Sequence, residues 1–422
     1  MAVGIASTGV LTFTYFSVAS HLLGAAAAAR LDVLWSVMFV VISVIYRPIE
    51  QLLSRSIAEH RALDQRPQGL RHALAIQGAF ALAFLAIALA LEGEIRVHLL
   101  GGSQALYLIL LTGTLAYAAS YFARGYLAGH ERYAHYGALV FIESFSRLCF
   151  ALAVAIGIAS GADAVALGIA AAPFFSLLVL APALLRAQAR RGQRPTASER
   201  TGALTLRSGA RFAGAVSVIM AAEQTLLNGA VLTVAATSHR AALPGIVFNV
   251  FLIARAPLQL FQAIQTTLLP HLTGLAVREG RQAFARAVAL TVRLIAALAA
   301  LLALLLALAG PPLLDHALFG QRYSYDRFGL ALVALGLGMH LIAGTFNQAA
   351  LARSQARAAA WCWVAGAVLF IAWMLAPVLP DELLRAEVGY TAAATLLALM
   401  LSVLYRRGAS APVLASAAAS SR

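Results

Sequence analysis

Two charges of opposite sign stand four residues apart in an otherwise apolar stretch at 140–154, VFIESFSRLCFALAV: Glu143 and Arg147. At that spacing they share one face of a helix, with the acid on the N-terminal side, the better order for an ion pair. Two roles fit them. They could form a structural pair that locks their helix to its neighbours. Alternatively, Arg147 could offer its bidentate guanidinium to a phosphate while Glu143 restrains it. A second basic group, Arg255 in FLIARAPLQLFQAIQTTLLP, shares its segment with Gln259, Gln262 and Gln265. That spacing draws a polar stripe down an apolar helix, suited to sugar hydroxyls beside an anion or to hydrogen bonds between helices. Pro257 and Pro270 would free backbone carbonyls in the same stretch.

Further candidates sit in other apolar runs. Glu223, with Gln224 and Asn228 close behind it, has no basic residue nearby in sequence. Either it takes and releases a proton or it pairs with an Arg on another helix, Arg255 being the candidate. His340, Asn347 and Gln348 make a third polar face, in which His340 could titrate near neutral pH or serve as a satisfied core histidine. Arg47 closes an apolar run, where reaching toward lipid headgroups competes with anion binding.

The elements that must position these groups follow from composition. Of 422 residues, 61% are hydrophobic and only 11% charged, too little polar surface to cover a water-soluble globule. Apolar runs of helix-spanning length recur from end to end. We read twelve: 3–23, 33–50, 72–92, 104–123, 135–157, 163–185, 211–236, 243–269, 287–314, 328–351, 358–379 and 387–405. They are too long and too uniformly apolar for barrel strands. The fold expected is an all-α polytopic membrane protein.

The net charge of +14 comes from basic residues that are all Arg. With a cytoplasmic N-terminus, Arg fall mainly on the cytoplasmic side of the alternating breaks, as the positive-inside rule requires. The charge is thus a topology signal, and nucleic acid is not an expected partner. Both termini are expected in the cytoplasm. Cys149 and Cys362 lie within spans, and no Cys/His spacing suggests a metal site or a disulfide.

The longest basic break, around 186–211, follows the sixth span. The chain therefore divides into an N-terminal six-helix lobe (1–186), a basic cytoplasmic linker (187–210), a C-terminal six-helix lobe (211–407) and a disordered tail (408–422). FARGYLAGHERY at 122–133 and FNQAALARSQAR at 346–357 occupy equivalent places in the two blocks. An even number of spans per half gives both halves one orientation, so the pseudo-twofold axis is expected along the membrane normal.

The blocks LGAAAAARLDVLWSVMFV, RPIEQLLSRSIAEHRA and RGYLAGHERYAHYGALVFIESFSRL carry a family resemblance. Above all, the Arg124–Tyr133 core and the Glu-x-x-x-Arg after it resemble the MATE-like, Wzx-type flippases. These are the polysaccharide and lipid-linked oligosaccharide flippases of the multidrug/oligosaccharidyl-lipid/polysaccharide exporter superfamily. The resemblance implies a two-lobed transporter in the inner (plasma) membrane that carries lipid-linked sugars from the inner to the outer leaflet by alternating access. Its partners would be a polyprenyl-pyrophosphate-linked oligosaccharide, membrane lipids and H+ or Na+ as coupling ion.

On this reading Arg147, Arg255 and Arg47 are the anion-binding candidates, and Gln259, Gln262, Asn228 and Asn347 the sugar-binding ones. Glu223, Glu143 and His340 are the ion-coupling candidates. The rival is a MATE-type exporter of drugs or cations, which needs acidic residues uncompensated by Arg. A membrane-embedded polymerase or ligase ranks below both, because the longest outer loop, around 314–328, has only about fifteen residues. No nucleotide-binding or hydrolase motif occurs, and neither cofactor nor catalytic residue is expected.

Overall fold

The computed structural model describes residues 2–62, 70–189, 206–253, 255, 280–319, 325–352 and 355–407. The described residues are helical almost throughout and contain no strand. In lipid no water satisfies backbone polar groups, so an apolar chain of this composition closes its hydrogen bonds within helices.

In chain order the helices are α1 (Ala2–Leu22), α2 (Ala25–Ile45), α3 (Arg47–Ala62), α4 (Leu70–Ala90), α5 (Gln104–Gly129), α6 (Tyr133–Ala155) and α7 (Gly161–Ala189). These are followed by α8 (Leu206–Thr237), α9 (Leu243–Ile253), α10 (Gly280–Pro312), α11 (Arg327–Ala352), α12 (Ala356–Leu375) and α13 (Glu382–Arg407). Ten described helical segments are long and apolar enough to cross a membrane. Each of the twelve expected spans overlaps a described helix, with α1 in the first and α9 opening the eighth, whose residues from 256 on lie outside the described residues. The protein is a multi-pass membrane protein, and its lipid-facing surface is visible: Leu294, Leu298, Leu301, Leu304, Leu305 and Leu308 of α10 are all exposed.

Two expected span boundaries are corrected. The second span was expected to begin at 33, beyond Arg30 and Asp32, but the helix starts at Ala25 and runs, with α3 following almost without interruption, as a 30-residue span from Ala25 to Ser54. The five alanines at 25–29 are strong helix formers and carry the helix back past both charges. Tyr46 joins the two segments through Tyr46 N–H to the Ile42 carbonyl (2.9 Å) and Glu50 N–H to the Tyr46 carbonyl (3.0 Å). Pro48 sits in the first turn of α3, where a missing N–H leaves nothing unsatisfied. The fourth span, expected to end at 123, continues to Gly129 and takes Arg124 into the helix. Of the expected linker 187–210, residues 190–205 lie outside the described residues, as does the tail 408–422.

Chain contacts define two compact units: Met1–Gln224 with Ala235–Gly245, and Thr225–Val234 with Ile246–Arg422. In the first, α1 packs on α6, α6 on α7, and α5 on both α3 and α7. The α3–α5 contact brings backbone onto backbone. A Cβ at Gly125 would lie 2.8 Å from the Glu50 carbonyl oxygen, and one at Gly129 2.9 Å from that of Ser54. This is the small-xxx-small device by which membrane helices approach closely. In the second unit α11 is the central helix, flanked by α10 and α13, with α12 against α13. Pro311 and Pro312 end α10 and hand the chain to a π-helical turn, Leu313–Leu318.

Candidate functional site

The interior of the first unit is unusually charged. Glu143, 2% exposed, does not pair with Arg147. Its carboxylate instead accepts from Arg124 of α5, in an ion pair, from Ser120 of α5, and from Ser176 of α7 at 3.4 Å. The expected i,i+4 pair is therefore corrected: three side chains on neighbouring helices out-compete the local partner because α5 and α7 pack directly on the Glu143 face of α6. Arg124 had the place of a loop residue in the sequence. Its side chain is 12% exposed, and its guanidinium lies 4.4 Å from the Tyr121 ring centroid.

Arg147 is thereby left without a carboxylate among the described residues. It is 4% exposed. One guanidinium nitrogen donates to Ser144 Oγ at 3.0 Å and to Thr12 Oγ1 at 3.3 Å, and the group stacks over Trp35, 4.5 Å from its centroid. Trp35 in turn packs edge-on against Phe16, 5.7 Å between centroids. Every partner of Arg147 is neutral, so its charge stays available to an anion.

A second cluster joins α3, α6 and α8. Tyr136 donates to Glu50 Oε1 at 2.8 Å. Arg47 is half-buried, and the largest attraction on it comes from Glu223, followed by Tyr121 and Glu50. The basic partner of Glu223 within this unit is thus Arg47. Arg47 opens α3 directly after Tyr46, half-buried with Glu223 and Glu50 acting on it.

Asp32 escaped the sequence reading because it was placed outside the second span. It is 5% exposed, on α2, and no side-chain hydrogen bond or ion pair to its carboxylate is seen among the described residues. A Cβ at Gly245 would lie 3.2 Å from its Oδ2, so glycine there leaves the carboxylate its room. The signal available in the sequence was helix continuity through the alanine run.

In the second unit Tyr390 gathers several of the expected residues. His340, 2% exposed, stacks on Tyr390 at 6.3 Å and meets Trp363 edge-on at 5.4 Å. Trp363 donates its indole N–H to Asn347 Oδ1 at 3.1 Å. Among the described residues Tyr390 is the group that acts on the charge of Arg255, whose Nε and Nη2 are buried there without a hydrogen bond. Asn228 is fully buried on α8. Gln259 and Gln262 lie outside the described residues. No group of three or more His, Cys, Asp or Glu able to hold a metal ion occurs among the described residues.

No family model matches the chain, and no curated protein matches it. Among solved structures, an inward-facing multidrug resistance MATE family transporter of the MOP superfamily aligns with a TM-score of 0.72 at 13% identity, over 97% of this chain and 96% of that one. The Vibrio cholerae MATE transporter VcmN in its bent form gives 0.64 at 15%, over 96% and 94%. The MATE transporter ClbM in complex with Rb+ gives 0.61 at 16%, over 96% and 93%. The fold of this chain is therefore MATE-like.

Proposed function

We propose that this protein is an inner-membrane flippase that moves a polyprenyl-pyrophosphate-linked oligosaccharide from the inner to the outer leaflet by alternating access, with both termini in the cytoplasm. The observation that carries this reading is the pair of guanidiniums, Arg147, buried, and Arg255, half-buried with its Nε and Nη2 enclosed, neither with a carboxylate among the described residues. An uncompensated Arg at membrane depth costs from about 2.5 to more than 10 kcal/mol, a penalty that a transported anion would offset. A guanidinium also matches the two-oxygen geometry of a phosphate, which a simple point charge does not. Arg47 is the third, weaker anion contact, since Glu223 already attracts it.

A second reading, export of cationic compounds, is favoured by one observation: Asp32 is a buried carboxylate without a basic partner among the described residues. The multidrug exporters among the structural neighbours fit that reading equally well.

Deletion separates the two. Lipid-linked oligosaccharide accumulating on the cytoplasmic face supports flipping. Unchanged surface glycan with new sensitivity to cationic drugs supports export. In the complemented strain, Arg147→Ala abolishes rescue on the first reading, and Asp32→Asn abolishes it on the second.

A further inference from the structure

The two acids and the His proposed above for ion coupling are each engaged elsewhere, but one carboxyl that the transport argument has not used keeps an oxygen without a donor among the described residues. Glu387 lies in the second turn of α13, 2% exposed. Its Oε1 is sealed without a hydrogen-bond donor among the described residues. The carboxylate packs flat onto Gly329 in the first turn of α11, where a Cβ would overlap both of its oxygens. Glycine at 329 is thus the condition for the carboxyl to enter the α11–α13 seam at all.

The charges facing it are of its own sign. Asp326, preceding α11, and Asp381, preceding α13, both act on Glu387. Asp326 Oδ2 already accepts from Gly329 N–H at 3.1 Å, and Asp381 Oδ1 accepts from Leu383 N–H at 2.9 Å, so both are committed as caps. The basic groups described nearby are turned to other partners or to solvent. Arg385 donates to the Ala376 carbonyl at 3.2 Å and approaches Glu382 at 4.0 Å, while Arg327 is exposed. One turn further along, Thr391 Oγ1 bonds the Leu332 carbonyl at 2.9 Å and holds the same seam closed.

A negative charge at Glu387 would have no donor for one oxygen and two like charges for neighbours, a combination that burial makes costly. A metal cation would need several oxygen ligands around it, and no such group exists among the described residues. A proton needs a single lone pair.

We propose that Glu387 is a proton-binding site of the transport cycle, occupied while the α11–α13 seam is closed and emptied when that end of the second unit opens to water. The ionised carboxylate then wedges the first turns of α11 and α13 apart, and reprotonation lets them close. The role in transport rests on the flippase reading; the proton site and its effect on the seam do not.

Two measurements on the full-length protein test it. In nanodiscs, hydrogen exchange of the segments 327–334 and 384–391, corrected for the intrinsic pH dependence of exchange, is followed from acid to alkaline pH. Protection in the wild type is expected to fall by roughly tenfold through one transition. Glu387→Gln, which keeps the shape and cannot ionise, is expected to stay protected. Asp326→Asn removes a like charge and is expected to move the transition to lower pH. A wild type without a transition, or Glu387→Gln with the same one, overturns the proposal.

In proteoliposomes carrying a nitrobenzoxadiazole-labelled polyprenyl pyrophosphate, an imposed pH gradient is expected to accelerate flipping by the wild type and not by Glu387→Gln. Equal acceleration in both removes the coupling role. Absence of flipping by the wild type in any condition counts against the flippase reading, and the exchange result then decides the proton site by itself.

Discussion

Removing either partner of the Arg124–Glu143 pair leaves a charge stranded inside the first unit, and the size of that effect follows from burial. The two side chains are 12% and 3% exposed. Breaking a buried pair by deleting one member costs about 3–5 kcal/mol. At about 2–4 °C per kcal/mol for a unit of this size, Arg124→Met or Glu143→Gln should each lower the thermal midpoint by about 6–20 °C. The double variant removes both charges together and leaves only hydroxyl and amide groups to satisfy one another. It should therefore lie well above the sum of the single losses, with a coupling of about 3 kcal/mol in the double-mutant cycle. The assay is thermal unfolding of purified protein in one detergent at one pH. The refuting result is additivity. A companion cycle of Glu143→Gln with Arg147→Met should show little coupling, since no ion pair joins those two residues; strong coupling there would restore the local pairing that their spacing suggested.

Arg147→Lys should fold normally and lose most flipping activity. An ammonium keeps the charge but gives up both the fork and much of the stacking on Trp35, which is worth about 0.5–2 kcal/mol. Tyr136→Phe removes the 2.8 Å hydrogen bond to Glu50 and should destabilise by about 1.5–3 kcal/mol, read as a fall in thermal midpoint. Gly129→Leu should abolish the folded yield in size-exclusion profiles, because even its Cβ would meet Ile57 Cβ at 2.7 Å and the Ser54 carbonyl at 2.9 Å. Trp363→Phe should cost about 1–3 kcal/mol by leaving Asn347 Oδ1 buried without its donor.

The spans were legible because roughly twenty apolar residues can do little else in a chain this hydrophobic. Their charged ends were not. Arg124 and Asp32 were both assigned to breaks since charge is the usual marker of a span's end, whereas here each is drawn inside a bundle, Arg124 by Glu143 and Asp32 by the alanine run that starts its helix. The partner of Glu143 could not be read locally, because spacing along one helix says which residues share a face and nothing about what that face meets. Ser120, Arg124 and Ser176 come from helices 23, 19 and 33 residues away in sequence. Arg147 was legible as an intramembrane cation, yet its cradle of Thr12, Ser144 and Trp35 depends on α1 and α2 crossing α6. Glu387 was passed over because it opens the last span at its edge, where an acid normally faces water; Gly329, nearly sixty residues earlier, is what shuts it away.

Gly125 and Gly129 fuse α3 and α5 so tightly that no side chain separates their backbones there. Spectroscopic labels placed on the outer surfaces of those two helices would consequently keep a constant spacing through every stage of a working cycle. Such a pair is a built-in ruler, against which displacement measured from any other helix can be calibrated.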